Sequence, residues 1–273
     1  MILFPNAKIN LGLNIVERRP DGYHNIETIF YPIALQDILE VVPSSGKEST
    51  LTTYGREINC PVEKNLVMKT FRLFEKEFNL PPVNIFLHKN IPDGAGLGGG
   101  SSDAASTIIA LNDIFNIGLS KEDMAVRASK LGADCPFFIY NTPMTATGIG
   151  EILNPIDVDL KGKFILLIKP DVSVPTAEAY SRVIPKPSKK LLSQIISLPL
   201  SEWKDNLVND FEMSVFANHP SLLDLKTNIY KSGAIYASMS GSGSSIFGIF
   251  DNVILAESAK QNFPNLSCYV IAL

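Results

Sequence analysis

The sequence has few of the residues on which disulfide, redox and metal chemistry depend. It contains three cysteines and three histidines in 273 residues. The cysteines, Cys60, Cys135 and Cys268, are far apart, odd in number and without a Cys-x-x-Cys pair. This pattern suggests neither a disulfide framework nor a cysteine-based zinc site, and it predicts reduced thiols.

Two further absences limit the partners of the chain. There is no surplus of positive charge, because 24 Lys and Arg face 28 Asp and Glu, for a net charge of −4. We therefore expect no nucleic-acid or membrane partner, since both need Lys and Arg concentrated on one face. No apolar run approaches the ~20 residues of a membrane span, and the first apolar stretch contains Lys8 and Asn10 rather than a signal-peptide core. We expect a cytoplasmic protein.

The composition is that of a globular protein with well-formed cores. Hydrophobic residues make up 45% of the chain, which is long enough for one large or two modest domains. Strand and helix patterns are mixed along the chain, and their order predicts an α+β fold. The Lys161-Gly162-Lys163 stretch, which precedes an apolar strand, predicts a boundary between an N-terminal domain of residues 1–161 and a C-terminal domain of residues 162–273.

The strongest local signal is a glycine-rich segment at residues 92–105. It holds five glycines between Gly94 and Gly100, and it separates a predicted strand at 83–91 from a predicted helix at 104–115. Glycines allow positive φ and close approach of backbone N–H groups to an anion, and a helix N-terminus adds further donors. A flexible linker would not lie between two apolar elements. The segment therefore predicts a phosphate-binding loop.

The loop does not fit the two best-known phosphate motifs. A Walker A loop has Lys after its last glycine, whereas Ser101 and Ser102 follow Gly100 here. A dinucleotide fingerprint has an acidic ribose partner about 20 residues on, but Asp113 and Glu122 fall on or beside predicted helices. We therefore predict that the loop holds the phosphates of ATP in a third way.

Three polar segments supply further candidate groups. Lys8 and Asn10 share one face of an alternating strand, Tyr23 and His24 follow a tight turn, and Asp134 follows a predicted helix. Taken alone, Lys8 also fits a solvated strand face, and Asp134 also fits a helix cap or turn. Phosphoryl transfer to an alcohol needs an anion cradle, a cation and a carboxylate that accepts the hydroxyl proton. The loop, Lys8 and Asp134 together predict a kinase.

Four segments in the same order carry a family resemblance. Residues 92–105 resemble the signature of the small-molecule kinases grouped with galactokinase, homoserine kinase and mevalonate kinase, and residues 238–244 resemble a further motif of that group. Residues 7–13 with 21–28, together with 131–136, are most similar to members that phosphorylate the 2-hydroxyl of a cytidine-diphosphate-linked methylerythritol in non-mevalonate isoprenoid synthesis. The resemblance implies a ribosomal S5-like N-terminal domain and a ferredoxin-like α/β sandwich as C-terminal domain.

The resemblance also implies roles for individual residues. Lys8 and Asp134 would be the catalytic pair, with Lys8 orienting the substrate hydroxyl and Asp134 taking its proton. The implied substrate-binding residues are Asn10, Tyr23, His24, Thr176 and Tyr180, of which the aromatic ones would hold the cytosine. The implied ATP-binding residues are Pro92, Asp93, Gly94, Ala95, Gly96, Leu97, Gly98, Gly99, Gly100, Ser101 and Ser102.

The resemblance implies ATP as phosphoryl donor, with Mg²⁺ expected alongside it and no residue assigned as its ligand. The alternatives are another kinase of the group, acting on homoserine or mevalonate, and a non-catalytic nucleotide- or RNA-binding module. The net charge of −4 and the pairing of Lys8 with Asp134 count against the module. The sequence predicts a monomer or a homodimer.

Overall fold

The structure, a computed structural model, describes residues 1–58, 60–188 and 190–273. The chain forms two compact units, each assembled from separate stretches of sequence. Unit 1 contains Met1–Ala7, Leu35–Asp93 and Gly98–Thr142, and unit 2 contains Lys8–Ala34, Gly94–Leu97 and Pro143–Leu273. The domain division predicted after residue 161 stays a prediction.

Strands and helices alternate in the mixed order that the sequence predicts. The strands are β1 (Ile2–Leu3), β2 (Asn6–Arg18), β3 (His24–Gln36), β4 (Ile38–Pro43), β5 (Thr50–Gly55), β6 (Val83–Lys89), β7 (Met144–Thr147), β8 (Ile152–Pro155), β9 (Phe164–Lys169), β10 (Tyr236–Met239), β11 (Ile246–Phe250) and β12 (Ser267–Ala272). The α-helices are α1 (Leu66–Phe78), α2 (Gly99–Ile114), α3 (Lys121–Ser129), α4 (Cys135–Tyr140), α5 (Thr176–Tyr180), α6 (Leu192–Ile196), α7 (Trp203–Asn206), α8 (Phe211–Asn218), α9 (Pro220–Lys231) and α10 (Val253–Lys260).

Unit 1 is a four-stranded sheet with helices α1 to α4. The strand order is β1-β4-β6-β5, and β5 pairs with β6 in parallel while the other pairs are antiparallel. Helix α1 carries its apolar residues at helical spacing. The side chain of Asn65 caps its first turn by accepting from the Val67 amide, and Phe71 and Phe74 lie on its fully buried face. Helix α2 contacts both α1 and β4.

Unit 2 contains two further four-stranded sheets, with strand orders β2-β3-β7-β8 and β10-β11-β9-β12. Strands β9, β10, β11 and β12 pair antiparallel. Residues 165–168 of β9 and all of β11 are buried, which explains their continuous apolar sequences. Helices α8, α9 and α10 pack on this sheet around Phe211, Ile229 and Phe250.

Strand β2 and helix α2 differ from the sequence prediction. Strand β2 is buried on both faces rather than one, because Leu192 and Leu207 lie close to Gly12, at 3.0 and 2.7 Å from where its Cβ would be. These covering residues are distant in sequence. Helix α2 begins at Gly99, five residues before the predicted start at 104, because packing overrides the weak helix propensity of glycine.

Within the described ranges, none of the helices combines the length and the apolar character that a membrane crossing requires.

Candidate active site

In unit 2, Lys8 is held by a chain of hydrogen bonds along the buried face of β2. Its ammonium donates to Asn10 Oδ1 at 2.7 Å, Asn10 Nδ2 donates to Thr28 Oγ1 at 2.9 Å, and the Thr28 hydroxyl donates to the Gly12 carbonyl at 2.5 Å. All three side chains are at most 3% exposed. A buried cation with directed donors is a rigid element, because each partner fixes the orientation of the next.

The same ammonium lies over an aromatic ring. Lys8 Nζ is 4.9 Å from the centre of the Phe30 ring, within the range of a cation–π contact. This burial rules out the solvated strand face as an explanation for Lys8. The structure instead provides a desolvated positive charge, which acts on a nearby anion more strongly than an exposed lysine would.

The tip of the glycine-rich loop, residues 94–97, packs within unit 2 against the loop at 240–245. The Ser240 hydroxyl donates to the Gly96 carbonyl at 2.8 Å, and the Ser245 amide donates to the Ala95 carbonyl at 3.3 Å. Gly96 has a φ of +74°, and a Cβ there would overlap the carbonyl oxygen of Ser240. The two glycine- and serine-rich motifs therefore meet, and only glycine fits at their contact.

The end of the loop is the N-terminus of α2 in unit 1. Gly98 takes the N-cap position with a φ of +72°, and Ser102 N–H donates to its carbonyl. The amides of Gly99, Gly100 and Ser101 precede the first intrahelical donor, so they and the helix dipole favour an anion at this end. Of the predicted ATP-binding residues, Ser102 uses its amide within the helix, and its side chain is buried.

Asp134 lies in unit 1 at the start of α4, a helix that the sequence does not predict. It takes the N-cap position, but its side chain makes no cap hydrogen bond within the described chain. The neighbouring Cys135 is buried, and burial raises the pKa of its thiol to about 11, which keeps it protonated near neutral pH. Lys8 and Asp134 belong to different units, so their pairing stays a prediction.

Two of the predicted substrate-binding aromatics are in contact in unit 2. The rings of His24 and Tyr180 stack with centroids 4.6 Å apart and an angle of 18°, and the Tyr180 ring meets Phe211 edge-on at 4.7 Å. Tyr23 is 62% exposed, and Thr176 is exposed at the first residue of α5. Burial and the charge of Arg18 lower the pKa of His24, so its ring is neutral at pH 7.

The described residues offer no ready-made metal cage. Among them, no group of three or more His, Cys, Asp or Glu side chains is placed to hold a metal ion. Mg²⁺ in nucleotide sites is commonly held by one or two carboxylates together with the substrate phosphates.

Comparison with known proteins identifies the family. Residues 65–142 match the N-terminal domain of GHMP kinases, and residues 191–266 match the C-terminal domain. A 4-diphosphocytidyl-2-C-methyl-D-erythritol kinase from Bacteroides fragilis is 54% identical over 271 residues, which cover 98% of each chain. One of the same name from Bacteroides thetaiotaomicron is 53% identical over 253 residues, or 92% of each chain. The chain belongs to the 4-diphosphocytidyl-2-C-methyl-D-erythritol kinase family.

A solved structure agrees with this assignment. The crystal structure of a 4-(cytidine 5'-diphospho)-2C-methyl-D-erythritol kinase superposes with a TM-score of 0.84 at 30% identity, covering all of both chains. The predicted α+β small-molecule kinase fold is thereby confirmed, and so is the prediction that the chain is a kinase. The roles of individual residues stay predictions.

Sequence reasoning missed two members of the Lys8 network, Thr28 and Phe30. Both lie on β3, two residues apart, so strand alternation places them on one face. That spacing was visible in the sequence. The contacts that bring Thr28 to Asn10 and Phe30 to Lys8 were not.

Proposed function

We propose that this kinase transfers a phosphoryl group from ATP to the 2-hydroxyl of 4-diphosphocytidyl-2-C-methyl-D-erythritol, in non-mevalonate isoprenoid synthesis. The observation that carries the proposal is the 54% identity, over nearly the whole chain, to a protein of that name. The geometry supports it through a buried lysine, a glycine loop that ends in a helix N-terminus, and an aromatic pair beside the Asp21–His24 turn.

Lys8 and Asp134 are the residues that we propose act on the hydroxyl. The Lys8 ammonium, fixed by Asn10 and by the Phe30 ring, orients the hydroxyl and offsets negative charge on the transferred group. The Asp134 carboxylate accepts the hydroxyl proton as the new O–P bond forms and the bond from the γ-phosphorus to the bridging oxygen of ATP breaks, which releases ADP.

Residues 92–102 are proposed to bind the phosphates of ATP. The positive φ of Gly96 and Gly98 turns the backbone so that no Cβ lies at the bend, and α2 adds its first amides and its dipole. We further propose that Mg²⁺ enters with ATP, bound chiefly by the phosphate oxygens.

The cytosine is proposed to stack on Tyr180. In this structure His24 covers one face of that ring, so a pyrimidine that stacks on this face takes the place of the imidazole. Stacking on an aromatic ring holds any base. Discrimination of cytosine from uracil needs a hydrogen bond to the exocyclic group of the base. A neutral His24 and the main chain of the Tyr23 turn are the proposed source of that bond.

The other hypotheses are less well supported. Homoserine and mevalonate contain no base that could stack on aromatic residues at the Tyr23–His24 turn. An RNA-binding module would need a basic surface, which a net charge of −4 does not supply. Location in the cytoplasm and a monomeric or homodimeric state stay predictions.

An ADP-release assay tests the function and the cytosine site together. We expect turnover with the cytidine-linked alcohol and none with free methylerythritol phosphate, homoserine or mevalonate. Tyr180→Ala should raise KM for the cytidine-linked substrate about 5- to 150-fold with a smaller change in kcat, because stacking contributes about 1–3 kcal/mol to ground and transition states alike. Tyr180→Phe keeps the ring and is the control.

Two results would contradict these proposals. Equal rates with uridine- and cytidine-linked alcohols, or an unchanged KM in Tyr180→Ala, would remove the cytosine site. Turnover of homoserine or mevalonate in preference to the cytidine-linked alcohol would replace the proposed substrate.

A further inference from the structure

Unit 1 contains a buried group of three charged side chains that the proposed mechanism does not use. The Lys89 ammonium, at the end of β6, donates to Asp37 and, at 2.7 Å, to Asp103 on α2. The exposed side-chain fractions are 6% for Lys89, 0% for Asp37 and 3% for Asp103. Charged groups this deeply buried are rare unless they are paired, so the arrangement calls for a reason.

The group holds both ends of the glycine-rich segment. Asp37 Oδ1 accepts from the amides of Asn90 at 2.5 Å and Ile91 at 2.8 Å, which lie just before the loop. Towards the other end of the segment, where α2 begins, Lys89 Nζ lies 3.3 Å from where a Cβ on Gly99 would be. Its partner Asp103 is one turn further along α2. One ammonium therefore joins the chain entering the loop to the helix that leaves it.

The charges in the group are not balanced by its members. Two carboxylates share one ammonium, and Asp103 Oδ1 has no hydrogen-bond partner among the described residues. Burial alone would lower the pKa of Lys89, but Asp103 and Asp37 outweigh this and raise it, so the cation is retained. Buried ion pairs add little net stability compared with apolar packing. The group is therefore better explained by the loop geometry that it fixes than by a gain in stability.

We propose that Asp37, Lys89 and Asp103 are positioning residues for nucleotide binding, which hold the two ends of the glycine-rich loop at the separation that phosphate groups require. We assign none of these three residues a contact with the substrate. The inference rests on the proposed function, because it takes residues 92–102 to bind ATP. A preformed loop raises affinity because less conformational freedom is lost on binding.

Two variants separate positioning from stability. Lys89→Met removes the ammonium and leaves two buried carboxylates, so it tests the whole group but threatens folding. Asp103→Leu keeps the Lys89–Asp37 pair, whose charges then balance. It removes only the link from Lys89 to the start of α2. The control is Arg127→Gln, which breaks the Arg127–Glu77 ion pair elsewhere in unit 1.

The measurement is calorimetric binding of a non-hydrolysable ATP analogue with Mg²⁺ and, separately, of cytidine diphosphate, with thermal unfolding of each variant. We expect Asp103→Leu to weaken the ATP analogue about tenfold, and Lys89→Met at least as much, because the loop is no longer preformed. Cytidine diphosphate affinity should change less than about twofold in both. Arg127→Gln should leave both affinities unchanged.

The outcomes distinguish the two proposals. If the wild type fails to bind the ATP analogue, the proposed function fails. If the wild type binds it and Asp103→Leu binds it equally well, the positioning role is overturned while the function stands. A parallel loss of both ligands that follows the fall in melting temperature also overturns the role, because the group would then be structural only.

Discussion

At the scale of single residues, Asn10 links the pairing of β2 with β3 to the orientation of Lys8. Its side-chain oxygen accepts from Lys8 and its nitrogen donates to Thr28, so one amide sets the orientation of the candidate catalytic ammonium. Asp134 differs, since it follows a turn at the start of a short helix and its carboxylate makes no cap bond within the described chain. Its role as the group that takes the hydroxyl proton stays a prediction.

Asp134→Asn should abolish turnover and leave the fold intact. The amide keeps the shape of the side chain but cannot accept the hydroxyl proton, so we expect kcat to fall about 10²- to 10⁴-fold. The measurement is ADP release with the cytidine-linked alcohol, accompanied by a melting curve. Asp113→Asn, an exposed change on α2, is the matched control and should behave as wild type. Activity close to that of the wild type in Asp134→Asn would remove the residue from this role.

At the scale of elements, the glycine-rich loop depends on its contact with the loop at 240–245. Gly94 and Gly96 both have positive φ, at +57° and +74°, but their surroundings differ. A Cβ on Gly94 would meet nothing within 4 Å, whereas one on Gly96 would overlap the Ser240 carbonyl. The two positions therefore separate backbone strain from steric overlap.

Gly96→Ala should destabilise the protein more than Gly94→Ala. Both alanines cost about 1–2 kcal/mol for left-handed backbone. Only Gly96→Ala must also push two backbone segments apart, and we expect at least about 2 kcal/mol in addition. Urea unfolding measures the difference directly. Equal free energies of unfolding for the two variants would show that the 94–97 tip does not need its close contact with Ser240.

At the scale of the whole molecule, the buried charged group links stability to pH. Burial raises the pKa of Asp103 from 3.8 to about 7, and although Lys89 opposes the shift, Asp37 adds to it. The folded state therefore binds this proton more readily than the unfolded state between these values. Stability from this carboxyl is gained as pH falls through 7 and lost as pH rises, the reverse of an ordinary salt-bridged aspartate.

The wild type should gain stability relative to Asp103→Leu when the pH falls from 8 to 6. Because one protonation is involved, we expect about 1 kcal/mol in the free energy of unfolding. Urea unfolding of both proteins at the two pH values gives this difference in the free energy of unfolding. The contributions of titrating groups that the two proteins share, including His24, cancel in it. A difference that is constant with pH, or of opposite sign, would show that Asp103 is ionised throughout this range.

Local sequence was sufficient for much of the fold and of the candidate site. The apolar spacing of helix α1 and its Asn65 cap both act within one segment. The glycine-rich segment was recognisable for the same reason. Tolerance of positive φ, which Gly96 and Gly98 both adopt, is a property of glycine itself. The order of the motifs was enough to recognise the kinase family before any contact was known.

Long-range packing accounts for what the sequence did not reveal. Lys8 was a candidate from its position, but its burial depends on β2 being covered on both faces, and its orientation on Thr28, which pairs with Asn10 across 18 residues of chain. Asp37 and Lys89 meet across 52 residues. Such contacts carry no local signal, because periodicity and turn preferences act over a few residues, whereas a buried charge finds its partner only when separate segments fold together.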